Sequence, residues 1–205
     1  MSIMDRPPAD RREHSIGRLG YYWFLTFEHA KDFHALVKEC QQAIMLPGYD
    51  LVPHDGLHLT LDRIAYDGGV MPEQIDSIRT AALSACQGQP PFEVAVEQVS
   101  NLHGAIGFRV LSAERVRCLR DTLRAATLSA YPDAPVKASA SAPHVTIAYP
   151  CPNTIVNTVT AAEVDRINAT VYRTSMPITE AVMVLLERRE RSYSWQVIAR
   201  IPLSS

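Results

Sequence analysis

His58-Leu59-Thr60-Leu61 and, 86 residues later, His144-Val145-Thr146-Ile147 are two copies of one pattern: histidine, apolar residue, threonine, apolar residue. In an extended chain successive side chains point to opposite faces. Each tetrad therefore sets a histidine and a threonine on one face and two aliphatic side chains on the other. With 7 histidines and 12 threonines in 205 residues, about 0.4 His-x-Thr triplets are expected by chance, and far fewer once both intervening positions must be apolar. One tetrad would carry little weight; two at corresponding places in a repeat carry much more.

The surroundings do repeat. At the same offset of 86, Leu25-Thr26 falls on Leu111-Ser112, Glu28 on Glu114, Lys31 on Arg117, Phe33 on Leu119, Val37 on Leu123, and Pro91-Phe92 on Pro177-Ile178. The two copies, about 22–95 and 108–181, predict two similar halves related by a pseudo-two-fold axis, since a period that occurs only twice is too short for a solenoid. Periodicity predicts strands over Tyr21–Phe27, Leu57–Ile64, Phe92–Leu102, Ile106–Leu111, His144–Tyr149, Ala181–Leu186 and Trp195–Ile201, the last two as a hairpin. It predicts helices over His29–Ile44, Pro72–Cys86, Ala113–Ala130 and Ala161–Tyr172. Asn101-Leu102-His103-Gly104 reads as a tight hairpin turn, and Ser139–Pro143 as a loop. Residues 1–18 read as a flexible polar tail before a single two-lobed domain over 19–205.

Composition narrows the class of function. The chain is 47% hydrophobic and 20% charged, which suits a packed globular domain rather than a disordered one. A net charge of −2 is a poor match for duplex nucleic acid, which needs a concentrated basic face. No apolar run is long enough to span a bilayer, and the N-terminus lacks the apolar core of a secretory signal. Cys40, Cys86, Cys118 and Cys151 have neither the density of a disulfide framework nor metal-site spacing. The expectation is a cytoplasmic monomer with reduced thiols, no cofactor, no metal, no membrane and no duplex nucleic acid.

Two imidazoles and two hydroxyls brought together suit phosphodiester chemistry. An imidazole titrates near neutrality, so one ring can take a proton from the attacking oxygen while the other gives one to the leaving oxygen. Threonine hydroxyls can donate to the non-bridging oxygens, where transition-state charge collects. HLTL and HVTI resemble the paired H-x-T-x motifs of the two-histidine phosphoesterase superfamily, and within it the bacterial 2′-5′ RNA ligase-like and cyclic phosphodiesterase branch. The resemblance covers most of residues 20–205. It implies an α+β fold, with antiparallel sheets flanking a central cleft, outer helices, and lobes that need not be contiguous in sequence. It further implies His58 and His144 as the general acid–base pair, without individual assignment, and Thr60 and Thr146 as phosphate ligands. The implied activity is opening of 2′,3′-cyclic phosphates, or cleaving or joining of 2′-5′ linkages, in RNA ends or small nucleotides. A hydrolase, an RNA 2′-5′ ligase and a non-catalytic nucleotide- or RNA-end-binding module all remain open at this point.

Further candidates come from position. Arg63 and Tyr149 are each five residues beyond a motif histidine. Strict alternation puts them on the opposite face, so they reach the cleft only where the strand ends or bulges. Tyr66 is a candidate substrate contact, and His54 is a candidate at the cleft entrance. Asp62 shares the face of His58 by parity and could orient an imidazole. Arg188, Arg189 and Arg191 sit with two glutamates near the last hairpin, where they are either a solvated turn or a contribution to RNA-backbone binding.

Overall fold

The computed structural model describes residues 16–45, 47–111, 113–136, 142–151 and 161–204. Nine strands and four α-helices are formed among them. In chain order they are β1 (Gly17–Thr26), α1 (Lys31–Ala43), β2 (Tyr49–Leu51), β3 (His58–Tyr66), α2 (Pro72–Cys86), β4 (Phe92–Leu102), β5 (Ala105–Leu111), α3 (Glu114–Ala130), β6 (His144–Pro150), α4 (Ala161–Asn168), β7 (Thr174–Ile178), β8 (Glu180–Arg188) and β9 (Tyr193–Pro202). A single 3₁₀ turn, His54–Gly56, leads into β3. None of these helices is long and apolar enough to cross a membrane. The fold is α+β.

All named strand pairs are antiparallel and form two sheets, ordered β3-β1-β8-β9 and β2-β6-β5-β4-β7. Under the 86-residue offset β3 corresponds to β6, β1 to β5 and β4 to β8. Each sheet therefore takes two strands from one repeat and its third from the other. The helices cross over too: α2 and α3 pack with the first sheet, α1 and α4 with the second. The main core, from Trp23, Leu25 and Phe33 to Phe108, Leu123, Val145 and Ile178, runs through both sheets and the helices. Trp23 is fully buried, and its indole N–H donates to the Thr127 hydroxyl on α3 at 3.0 Å.

Local chemistry explains the boundaries. Pro72 opens α2, where its missing N–H costs nothing, and the Gln74 side chain accepts from the Met71 N–H at 2.9 Å. The β4–β5 turn has His103 at φ 58° and Gly104 at φ 107°, the positive values that a two-residue hairpin requires. Several elements differ from expectation. β1 begins at Gly17, inside the stretch read as tail, because Gly17-Arg18 pairs with Glu187-Arg188 of β8; this polar segment has no apolar alternation to reveal a strand. α4 stops at Asn168, whose side-chain amide binds both the N–H and the carbonyl of Val99. β2 and β7 have no counterpart among the expected strands: three residues, and five with a proline among them, are too short for a periodic signal. Residues 1–15 of the expected tail and most of the Ser139–Pro143 loop lie outside the described residues.

Two glycines let the motif strands close on their neighbours. A Cβ at Gly20 would meet the Ala65 carbonyl oxygen at 2.1 Å, and one at Gly107 the Val145 carbonyl oxygen at 2.3 Å. Both obstacles are backbone, so the motif strand itself would have to move. Gly107→Ala is expected to destabilise the protein by about 2–4 kcal/mol, measured by chemical denaturation. A loss below ~1 kcal/mol would show that β5 and β6 tolerate separation.

Candidate active site

The alternation expected of the tetrads is present in both strands. Leu59, Leu61, Val145 and Ile147 are buried in the core, while Thr60 is exposed and both His58 and His144 are partly exposed. Thr146 is more enclosed, at 8% exposure. His144 and Thr60, from different tetrads, line one cavity; His58 lines a second together with Tyr149. β3 and β6 pack against one another, and the charge of His144 bears on His58. The two motifs therefore lie near one another on packed strands, with each histidine lining a cavity of its own.

The imidazoles are held in the same way. Nδ1 of His58 lies 2.9 Å from the Gly56 carbonyl, and Nδ1 of His144 lies 3.0 Å from the Ala142 carbonyl, in each case two residues upstream. A carbonyl only accepts, so each Nδ1 carries the proton and donates it. That fixes the tautomer and leaves each Nε2 as the reactive atom.

A bulge then redirects the side chains beyond each tetrad. In the β1–β3 ladder Phe24 pairs with Thr60 and Trp23 with Asp62, leaving Leu61 extra. In the β5–β6 ladder Gly107 pairs with Thr146 and Ile106 with Ala148, leaving Ile147 extra. Both bulges fall on the fourth tetrad position, and each reverses the alternation past that point. Arg63 accordingly joins the face of His58, and Tyr149 the face of His144. Asp62 leaves that face. It pairs with Arg124 of α3 at 2.6 Å and accepts the Arg63 N–H, so the expectation that it orients an imidazole is overturned. The two backbone carbonyls do that instead.

The other expected residues fall in different places. Arg63 donates to the Tyr22 hydroxyl at 2.9 Å and to the Tyr66 hydroxyl at 2.8 Å, forming with both rings a cluster farther along the His58 face. Neither Arg63 nor Tyr66 lines the cavity of either histidine. Tyr149 does line that of His58; burial, partly offset by a bond to the Thr146 hydroxyl, pushes its phenol up to about 12. His54 is exposed and stacks on His34 with ring centres 4.8 Å apart. It too lines neither histidine's cavity, although its neighbours Pro53 and Gly56 do. Arg191 is not a free turn residue: its guanidinium crosses from the β8–β9 loop to the buried Asp50 of β2, with Nε 2.7 Å from Oδ1. That contact holds the Asp50 carboxyl below its ordinary range.

Several site residues carry no signal in the sequence. Phe24 stacks on the His58 ring at 4.3 Å and 19°, and Trp195 meets the same ring edge-on at 5.1 Å. They belong to a second apolar cluster on the face of the first sheet turned away from the main core. Tyr193 packs against Tyr149 with centres 5.4 Å apart, and its hydroxyl accepts at 2.8 Å from Arg188, one of the hairpin arginines already singled out by position. Tyr149, Tyr193 and Arg188 line a chamber of about 560 Å³ that adjoins the His58 cavity. On the other side, Arg117 and Arg120 of α3 line the cavity of His144 and Thr60. No motif marks residues contributed by such remote elements.

The aromatic clamp sets the charge state of His58. Burial takes its pKa from the ordinary 6.5 down to about 4; the Gly56 carbonyl pulls it partly back, and His144 pushes it further down. The folded protein keeps this ring neutral while the unfolded chain protonates it near 6.5. Stability from the neutral ring is thus full above pH 6.5 and lost as pH falls towards 4, by about 3 kcal/mol. Denaturation between pH 7 and pH 4 is expected to show that loss and His58→Asn to flatten it. An unchanged slope in the variant would refute a neutral ring held between Phe24 and Trp195.

A model of the 2′-5′ RNA ligase superfamily matches residues 26–190. No curated protein sequence matches the chain. Among solved structures, TT0787 of Thermus thermophilus superposes with a TM-score of 0.67 at 20% identity, over 91% of this chain and 97% of that one. E. coli LigT complexed with 3′-AMP gives 0.64 at 14% identity, over 92% and 99%. A protein described as a phosphoesterase gives 0.63 at 15%, again over 92% and 99%. At these identities the structural likeness speaks for the fold.

Proposed function

The chain belongs to the 2′-5′ RNA ligase superfamily, and on that premise we propose that it is a metal-independent phosphodiesterase acting on 2′,3′-cyclic phosphate or 2′-5′ phosphodiester groups of RNA ends or small nucleotides. The observation that carries this reading is the matched pair of Nδ1–carbonyl bonds, which leave the Nε2 atom of each histidine available on two strands that pack against one another. A site that only binds a nucleotide has no need of two tautomer-locked imidazoles.

His58, neutral through most of the pH range, takes the proton of the attacking oxygen at Nε2. His144 gives a proton from its Nε2 to the departing ribose oxygen. Thr60 and Thr146 donate to the non-bridging oxygens as charge develops on them. The nucleoside occupies the chamber between Tyr149 and Tyr193, whose 560 Å³ lies within the common range for small-ligand sites. The 3′-AMP complex of E. coli LigT supports a nucleotide of that size.

With a 2′,3′-cyclic nucleotide as substrate, His58→Ala and His144→Ala are each expected to lower kcat by about 10²–10⁴-fold while circular dichroism stays unchanged. EDTA is expected to have no effect. Near-normal turnover by either folded variant would overturn the assignment.

A further inference from the structure

Behind the β8–β9 hairpin lies a separate pocket of about 240 Å³ that has no part in the mechanism above. Three cross-strand neighbours build it. Arg18 of β1 stands opposite Glu187 of β8, and Glu187 stands opposite Ser194 of β9. Ser194 alternates along its strand with Tyr193 and Trp195, and Glu187 is next to Leu186; these three neighbours all pack in the apolar cluster around Phe24. Alternation therefore sets Arg18, Glu187 and Ser194 on the other face of the first sheet from His58. Arg189, in the hairpin loop, borders the pocket as well.

Unsatisfied polar groups mark this pocket. A buried hydroxyl ordinarily has a hydrogen-bond partner, yet Oγ of Ser194 is buried without one. Opposite charges in register attract across strands, yet among the described residues the side chains of Arg18, Glu187 and Arg189 make neither an ion pair nor a hydrogen bond. Two guanidinium forks without a partner suit a phosphate monoester, which carries about −1.5 to −2 of charge and three acceptor oxygens. Rotation about one bond turns the Ser194 hydroxyl among its staggered positions, as a donor to the same group. Glu187 opposes a bare dianion but accepts from a hydroxyl beside it. A volume of about 240 Å³ is below the roughly 300–1,000 Å³ of sites for drug-sized ligands, so the occupant is small. We propose that this pocket is an accessory site for a small sugar phosphate, with the phosphate on Arg18, Arg189 and Ser194 and a sugar hydroxyl donating to Glu187. The site is distinct from the catalytic cleft, and its ligand need not be a substrate.

The test is calorimetric titration of the full chain with ribose 5-phosphate, inorganic phosphate, ribose and 5′-AMP. Arg189 also borders the chamber, so the variants are made at the other three positions. Ribose 5-phosphate is expected to bind, inorganic phosphate to bind about tenfold more weakly, and ribose not to bind. Arg18→Gln, at an exposed position, is expected to weaken ribose 5-phosphate by about 10–100-fold, and Glu187→Gln to remove its advantage over inorganic phosphate. Ser194→Ala is expected to weaken binding and, unlike loss of a structural hydroxyl, to raise the denaturation midpoint of the ligand-free protein. Turnover of 2′,3′-cyclic AMP is expected to match wild type in Arg18→Gln and Ser194→Ala, since neither residue borders the chamber or either histidine's cavity. Equal binding of ribose 5-phosphate by wild type and Arg18→Gln would overturn the site, as would no binding by wild type or a lowered midpoint in Ser194→Ala. An Arg18-dependent preference for 5′-AMP would overturn the small-ligand class. Slowed turnover in either variant would overturn the separation from the catalytic cleft.

Discussion

The site depends on one backbone irregularity made twice: the extra residue at Leu61 and again at Ile147. A regular strand would keep strict alternation. Asp62 would then lie beside His58, and Arg63 and Tyr149 would face the helices. The bulge allows two adjacent residues to be buried on the core side, so the chain re-enters the cleft one position later than a ruler would say. Each motif strand thereby presents a histidine, a threonine and, three residues after the threonine, a larger polar side chain on one face. The carboxylate of Asp62 is sent instead to Arg124, where it ties β3 to α3. An anion beside the phosphate would have opposed substrate; on the other side of the sheet it serves packing.

The two histidines begin with the same bond and end in different environments. Each donates Nδ1–H to the carbonyl two residues before it. Only His58 is enclosed by Phe24 and Trp195, which come from β1 and β9 of the same sheet. A duplicated strand thus becomes a functionally unequal pair through what each sheet places opposite it, with no change in the motif. The same asymmetry divides the cleft, with Tyr149, Tyr193 and Arg188 on one side and Arg117 and Arg120 on the other.

Much of this could be read in advance. The tetrads, the 86-residue repeat, the α+β class, the four helices and the long strands all leave periodic or motif signals, and His58, Thr60, His144 and Thr146 emerge from them. What could not be read has physical reasons. The bulges depend on pairing register, which has no signature in a single strand, so parity misplaced Asp62. Phe24, Trp195 and Tyr193 look like ordinary strand apolar or aromatic residues until a sheet face is assembled. Arg117 and Arg120 look like solvated helix charges until α3 is docked. β2 and β7 are too short to show alternation, and Gly17-Arg18 is strand only because β8 is there to pair with it.

The exchange of third strands has a consequence for how the chain comes off the ribosome. β1 and β3 emerge early, yet the strand that completes their sheet, β8, spans residues 180–188. Nearly the whole polypeptide must therefore be synthesised before His58 acquires its final surroundings, Trp195 among them. Until then β1 presents an unpaired, aromatic-rich edge of the kind that recruits other chains. Neither repeat is a self-sufficient folding unit, and cutting the protein at its symmetry boundary would leave two fragments that each lack a strand held by the other.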